Sequence, residues 1–380
     1  MRIGKFKLKH YINYIAVGLL LIFFSIKAFS GSRINSSTLY LLEKLSISMI
    51  LAVSLSLVVG FLGELSLGHA GFMCVGAYLG GKIACLVEPI LGNSPVALII
   101  SLLAGAAAAA VCGVIIGIPA LRLRGDYLAI VTLAFGEIVR SLFLNSSNES
   151  FGGTLGLSTP RYPKATLFIY GLLLVLLTLF VVQNFIRSKH GRAVTAIRDN
   201  EIAAKATGIN VTKYKLTVFT LSAAFAGVAG VLFSYSNYKI QATTFDYNYS
   251  IEILVMVVLG GMGSINGALI ASALITILNE KLQTMLTGDL AVLQNLLYAL
   301  ILIVIVIYNN APALKGFRSK YNLGKLTKKV FKHHNDPAHR KDDEAKWDVV
   351  PTKIEMNEVL SVDMTPQSMQ QYDKGNGGDL

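Results

Sequence analysis

Charge is scarce in this chain. Asp, Glu, Lys and Arg make up 15% of its 380 residues, against about 25% in a typical soluble domain. Hydrophobic residues make up 53% and the mean hydropathy is +0.58. That balance excludes a soluble globular protein and predicts an integral membrane protein. Cysteine is scarce too. Cys74, Cys85 and Cys112 all fall in apolar stretches, and their number and spacing fit neither a zinc nor a redox motif. They read as small core residues, and no metal site is expected.

Signature motifs of catalysis are missing. No Gly-x-x-x-x-Gly-Lys-Ser/Thr phosphate loop occurs, so the chain has no evident means of binding ATP, and no cofactor of its own is expected. Neither His-Glu-x-x-His nor Gly-x-Ser-x-Gly is present. His333 and His334 stand alone in a polar region, a poor metal site. Repeats with a period of 20–50 residues are absent. The expectation is a protein that is not an enzyme.

What is present is a succession of apolar segments. They lie near 11–29, 39–62, 66–88, 95–118, 127–145, 165–186, 213–236, 250–262, 264–287 and 289–308. A helix needs about 20 apolar residues to cross the hydrocarbon core. The fold class expected is therefore an all-α polytopic bundle of about eight to ten transmembrane helices. The segment at 250–262 is too short to cross unaided and reads as a broken or re-entrant helix. The glycine-rich segment at 66–88 is expected to be irregular. Residues 11–29 read as an uncleaved first helix, being longer than a signal-peptide core.

The formal charge of +12 sits in blocks beside these segments. That is the positive-inside pattern rather than a nucleic-acid surface. The blocks are the N-terminal decapeptide, the Arg122/Arg124 loop, residues 187–215 and the region after Asn309. Ten crossings put all of them on one side, with both termini in the cytoplasm. Eight crossings serve if two segments are re-entrant. Residues 1–310 form the expected membrane domain. Residues 311–380 form a basic, then mixed-charge cytoplasmic tail, in which 315–332 hold seven basic groups and no acidic one. The basic part suits an anionic leaflet, and the remainder reads as disordered.

The longest polar interruption is Arg187 to Lys215. Within it, Asp199 and Asn200 are candidate N-caps, Glu201-Ile-Ala-Ala-Lys-Ala are helix formers, and Gly208 is a stop. A positive helix held between two spans is a docking element on the cytoplasmic face.

Four further clusters carry polar chemistry. Glu64, Ser66 and His69 stand among Gly63, Gly68 and Gly71, in or near an apolar span. Polar groups there line a translocation path, or else they belong to a tight packing turn with His69 on a backbone carbonyl. Asp126 is a candidate helix N-cap, and Glu137 and Arg140 sit at i, i+3, spaced to pair on one helix face. That pair serves transport or fixes helix register. Gly152 to Ser158 reads as a flexible external loop suited to a soluble partner. Gly260, Gly261, Gly263, Asn266 and Gly267 form an inner-face turn, either a plain connection or a second contact with a cytoplasmic partner.

At these residues the chain resembles a known family. Gly63-Glu-Leu-Ser-Leu-Gly-His-Ala-Gly-Phe, Arg124-Gly-Asp-Tyr-Leu-Ala-Ile-Val-Thr-Leu-Ala-Phe-Gly-Glu-Ile, Ala196-Ile-Arg-Asp-Asn-Glu-Ile-Ala-Ala-Lys-Ala-Thr-Gly-Ile-Asn and Val258-Leu-Gly-Gly-Met-Gly-Ser-Ile-Asn-Gly are similar to blocks in permease subunits of branched-chain amino acid ABC importers. The Arg-Gly-Asp-Tyr-Leu-Ala-Ile block points to the LivM-type rather than the LivH-type subunit. The resemblance covers roughly residues 35–310.

It implies a bacterial inner-membrane importer of leucine, isoleucine and valine. A second, LivH-type permease chain would complete the path. Two cytoplasmic ATPases would supply ATP and magnesium chemistry, and an extracytoplasmic binding protein would deliver substrate. It also places Glu201, Ala203, Ala204 and Gly208, with Arg198 beside them, on the coupling helix (about 196–209) that meets the ATPase. The flanking Lys and Arg are then inner-leaflet anchors. Urea or short amides are the alternative substrates within the family. An ion-coupled secondary transporter, with Glu137 and His69 as its candidate sites, is the alternative mechanism.

Overall fold

The computed structural model describes residues 35–92, 94–123 and 125–285, with isolated positions at 17, 18, 299, 300 and 303. Apart from those isolated positions, the expected first helix at 11–29, the segment at 289–308, Arg124 and the tail at 311–380 lie outside the described residues.

The described chain is helical, as its apolar runs demand. In hydrocarbon every backbone polar group must find its partner within the segment. The elements are α1 (Ser36–Ser56), continued by a π-helical stretch Leu57–Leu62, then α2 (His69–Leu91), α3 (Pro95–Ala120), α4 (Asp126–Leu144) and α5 (Lys164–Arg187). There follow α6 (Lys189–Asp199), α7 (Glu201–Ala206), α8 (Val211–Ser236), α9 (Tyr247–Gly260) and α10 (Ile265–Met285). Among the described residues, α1 with its π extension, α2, α3, α4, α5, α8 and α10 are long and apolar enough to cross a membrane. Helix α9, with 14 residues, spans about 21 Å at 1.5 Å per residue, short of a crossing as expected.

The irregularity expected within 66–88 is confined to its first three residues, 66–68. Helix α2 runs unbroken for 23 residues. The π turn and the non-helical stretch 63–68 precede it. There Gly63 takes φ +80°, which only glycine adopts without strain. The start of α2 is satisfied from other helices. Leu67 N donates to Thr132 Oγ1 (2.9 Å) and Ala70 N to Ser250 Oγ (3.1 Å).

Helix α1 is the buried axis of the bundle; 94% of its most apolar window is covered. Helices α2, α3 and α8 pack backbone to backbone through small residues. A Cβ on Gly76 would stand 2.3 Å from Gly227 O, and one on Gly230 would stand 2.1 Å from Met73 O. Such approach replaces the hydrophobic driving force that lipid does not supply. Cys74 is buried in this region, and Cys85 and Cys112 are partly buried free thiols.

The all-α expectation needs one addition, a two-residue antiparallel ladder. Leu157 pairs with Ile240 and Ser158 with Lys239. This changes the reading of the Gly152–Ser158 loop, which is knitted down rather than loose. Thr159 Oγ1 donates to Ser234 O at 2.6 Å, and a Cβ on Gly156 would meet Ile240 O at 2.4 Å.

Candidate functional site

Helices α6 and α7 form a hairpin between the spans α5 and α8, and both have sequence-encoded caps. Ser188 Oγ accepts from His190 N and Gly191 N to open α6. Asn200 Oδ1 accepts from Ile202 N and Ala203 N, each at 3.0 Å, to open α7. Asn200 is the cap; Asp199 closes the preceding helix. Gly208, at φ +83°, ends α7. Ile209 N donates to Ala204 O (3.1 Å) and Gly208 N to Lys205 O (3.0 Å), the paired bonds of a Schellman cap. The expected helix at 196–209 is thus two helices meeting at Asn200.

Lys215, expected as a leaflet anchor, is instead buried at the centre of the site. Its side chain is 4% exposed. Nζ donates to Glu64 Oε1 (2.5 Å) and to Glu201 Oε2 (3.2 Å). Lys205 holds the other oxygen of Glu201 at 3.0 Å. Two cations and two carboxylates form one neutral chain, which is what lets Lys215 be buried at tolerable cost. Burial alone would raise the Glu201 carboxyl, but the bonds and charges of Lys205 and Lys215 outweigh it and hold it below the usual carboxylate range.

Arg198 ties the hairpin to the π turn. Its Nη1 donates to Gly60 O at 3.2 Å, and its stem fills the space a Cβ on Gly63 would need, 2.7 Å from Cγ. It also pairs with Asp199 at 2.9 Å. Gly263, at φ +82°, presses on the same spot, its N lying 2.6 Å from where a Gly60 Cβ would be. The π turn, the α6–α7 hairpin and the α9–α10 turn therefore meet at one end of the bundle. A groove there is lined by Gly63, Glu64, Gly125, Arg198, Glu201 and Lys215.

The remaining predicted residues divide. Ala203 and Gly208 are exposed on α7 and available to a partner, and so is Ile202 at 74% exposure, which sequence reading passed over. Ala204 is 4% exposed and packs into the chain's own core. That corrects its expected place at the ATPase contact; it supports α7 from behind. Glu201 likewise turns inward to Lys215.

His69 is 2% exposed and shares a hydrogen bond with Ser54 Oγ at 2.8 Å, not with a backbone carbonyl. Ser66 is 1% exposed, and its hydroxyl finds no partner among the described residues. Gly68 and Gly71 serve close packing on α4: a Cβ at each would fall 2.6 Å from Thr132 O and 2.7 Å from Gly136 Cα. Glu137 and Arg140 do pair, at 2.8 Å, both half-buried. Asp126 is not a cap. Gly125, at φ +60°, precedes the helix, and Asp126 is its first residue, without a side-chain capping bond.

Gly260 and Gly267 let the ends of α9 and α10 cross, since a Gly267 Cβ would overlap Gly260 O at 1.7 Å. Gly261, at φ +93°, makes the turn, and Asn266 is exposed beside it. No group of three or more His, Cys, Asp or Glu suited to a metal occurs among the described residues.

A bundle of apolar helices with a capped, ion-paired hairpin at one end defines a multi-pass helical membrane protein. Comparison with known families makes this specific. Residues 37–307 match the branched-chain amino acid transport system permease component family, and the chain belongs to it. It is 38% identical over 276 residues to the high-affinity branched-chain amino acid transport system permease protein LivM of Salmonella typhimurium, covering 62% of this chain and 61% of that protein. The LivM protein of Escherichia coli is also 38% identical, over 280 residues, with the same coverage. The chain thus spans less than two thirds of the length of these relatives. It is 27% identical to the ribose import permease protein RbsC of Escherichia coli, covering 77% of this chain and 92% of RbsC.

Proposed function

We propose that this chain is the LivM-type permease subunit of an ATP-driven importer of leucine, isoleucine and valine in a bacterial plasma membrane. A second permease chain completes the path, two ATPases drive it, and an extracytoplasmic protein delivers substrate. The carrying observation is the α6–α7 hairpin. It exposes Ile202, Ala203 and Gly208 while Arg198 and the Glu201–Lys215–Glu64 chain fasten it to the spans. A surface apolar patch braced from behind transmits a push, and the missing phosphate loop means the push comes from another chain. The basic residues around the hairpin favour a cytoplasmic position for that end, and in this reading both termini lie on the same side.

Reconstitution tests this. Vesicles carrying the chain with its sister permease, ATPases and binding protein should accumulate leucine when ATP is supplied. Leucine uptake driven by a proton or sodium gradient without ATPases, or ATP-driven uptake of ribose, urea or a short amide in its place, overturns the assignment.

A further inference from the structure

At the end of the bundle opposite the hairpin, a cavity of about 300 Å³ opens between α1, α8, α9 and α10. That is the small end of the range in which proteins hold ligands. Its described lining carries two cations, Lys44 and Lys239, and two carboxylates, Glu252 and Glu280. The charge is balanced, so the cavity suits neither an anion nor a cation, but it does suit a zwitterion. Lys44 Nζ donates to Glu280 Oε2 at 2.8 Å and sits 4.7 Å over the Tyr40 ring; Asn279 Nδ2 donates to Glu252 Oε1 at 3.2 Å.

Depth sorts these residues. On α1, Lys44 lies at the outer turn and Ile47 one turn further in. On α9, Glu252 is outer and Met256 inner. On α10, Glu280 is outer and Thr276 inner. Phe233 lies one turn in from Asn237, the residue that follows α8. Each wall thus repeats a polar rim and an apolar or hydroxyl floor, separated by about 5.4 Å. Thr276 supplies an independent sign. Its residue is 6% exposed, and its hydroxyl has no hydrogen-bond partner among the described residues. A buried hydroxyl without a partner is destabilising, and a bound polar group would relieve that.

We propose that this cavity is an entry site for a free amino acid with an apolar side chain. The carboxylate meets Lys44, the ammonium meets Glu280 and Glu252, and the side chain descends to Ile47, Phe233 and Met256. This rests on the importer reading above and places its substrate on this chain rather than on the delivering protein alone.

Equilibrium binding of radiolabelled leucine to the assembled complex in lipid nanodiscs, without ATP or binding protein, tests it. Saturable binding is expected. Isoamylamine, which lacks the carboxylate, and 4-methylvalerate, which lacks the ammonium, should compete poorly. Thr276→Val keeps the residue's shape and removes the unpartnered hydroxyl, so it should hold or raise the thermal midpoint while weakening leucine binding about fivefold, the worth of one hydrogen bond. Lys44→Met should weaken it further. If both variants match the wild type in leucine binding, or either one-charge analogue competes as well as leucine, the site is overturned. Binding without ATP-driven uptake leaves the site standing and removes the importer reading. Uptake without binding, or with binding indifferent to both variants, does the reverse.

Discussion

Lys215 and Glu64, 151 residues apart in sequence, meet through a hydrogen bond between Nζ and Oε1. One stands on the first turns of α8, the other in the non-helical link before α2. Glu201 of the hairpin joins them through the same ammonium. Helix α7 and the link at 63–68 are thus joined through a single lysine.

Lys215→Met should be costly. It leaves the partly buried Glu64 without its cation and deprives Glu201 of one of two, and breaking a fully buried pair costs about 3–5 kcal/mol, an upper bound here. Adding Glu64→Gln should recover most of that stability, because Glu201 keeps Lys205. Transport should stay impaired in the double variant, since the connection is gone. Thermal unfolding and ATP-driven uptake, measured on the same preparations, check both halves.

The Glu201 carboxyl is held below the usual range. A depressed carboxylate contributes stability that is present above its unfolded value, about 4.3, and is lost as pH falls through the folded value. The stability difference between wild type and Glu201→Gln should accordingly be largest near neutrality and shrink in acid. Unfolding midpoints at pH 7 and below pH 4 measure it. A difference that grows in acid contradicts the pairing.

Gly208 offers a substitution that strains without clashing. Its φ is +83°, and nothing lies within 4 Å of an added Cβ. Gly208→Val should cost about 1–3 kcal/mol from the left-handed backbone alone and loosen the end of α7. Gly208→Asn should cost much less. The expected phenotype of the valine variant is normal membrane insertion with ATP hydrolysis no longer tied to uptake, read as the ratio of phosphate released to leucine accumulated.

Glycines at helix contacts should separate sharply by distance. Gly76→Ala places Cβ 2.3 Å from the carbonyl of Gly227, whereas a Cβ on Gly136 meets nothing closer than 3.8 Å. Gly136→Ala should express at wild-type level. Gly76→Ala should lower the yield of folded protein severalfold, as fluorescence-detected size exclusion of the detergent extract would show.

Much of this architecture is legible in the sequence, because each crossing helix announces itself by unbroken apolar composition. The caps are legible as well: Asn200 and Gly208 are residue types that the backbone geometry at a helix start and stop requires. Lys215 is not legible. A lysine at the start of a span has the composition of a leaflet anchor, and its partner Glu64 is distant in sequence. The inward turn of Ala204 against the outward turn of Ala203 is equally hidden, since a six-residue helix of small residues carries too little periodicity to choose its buried face. His69 was visible as a polar intruder, but its partner, Ser54, comes from a neighbouring helix whose register only packing decides.

The meeting of three segments at Gly60 limits how this permease can be re-engineered. Arg198 grips the Gly60 carbonyl while Gly263 lies against its α-carbon. A chimaera that replaces only the α6–α7 hairpin replaces Arg198 with it, and so puts at risk the bond that holds this chain's π turn. The exchangeable module is the set of residues 57–64, 189–215 and 260–267, transplanted together.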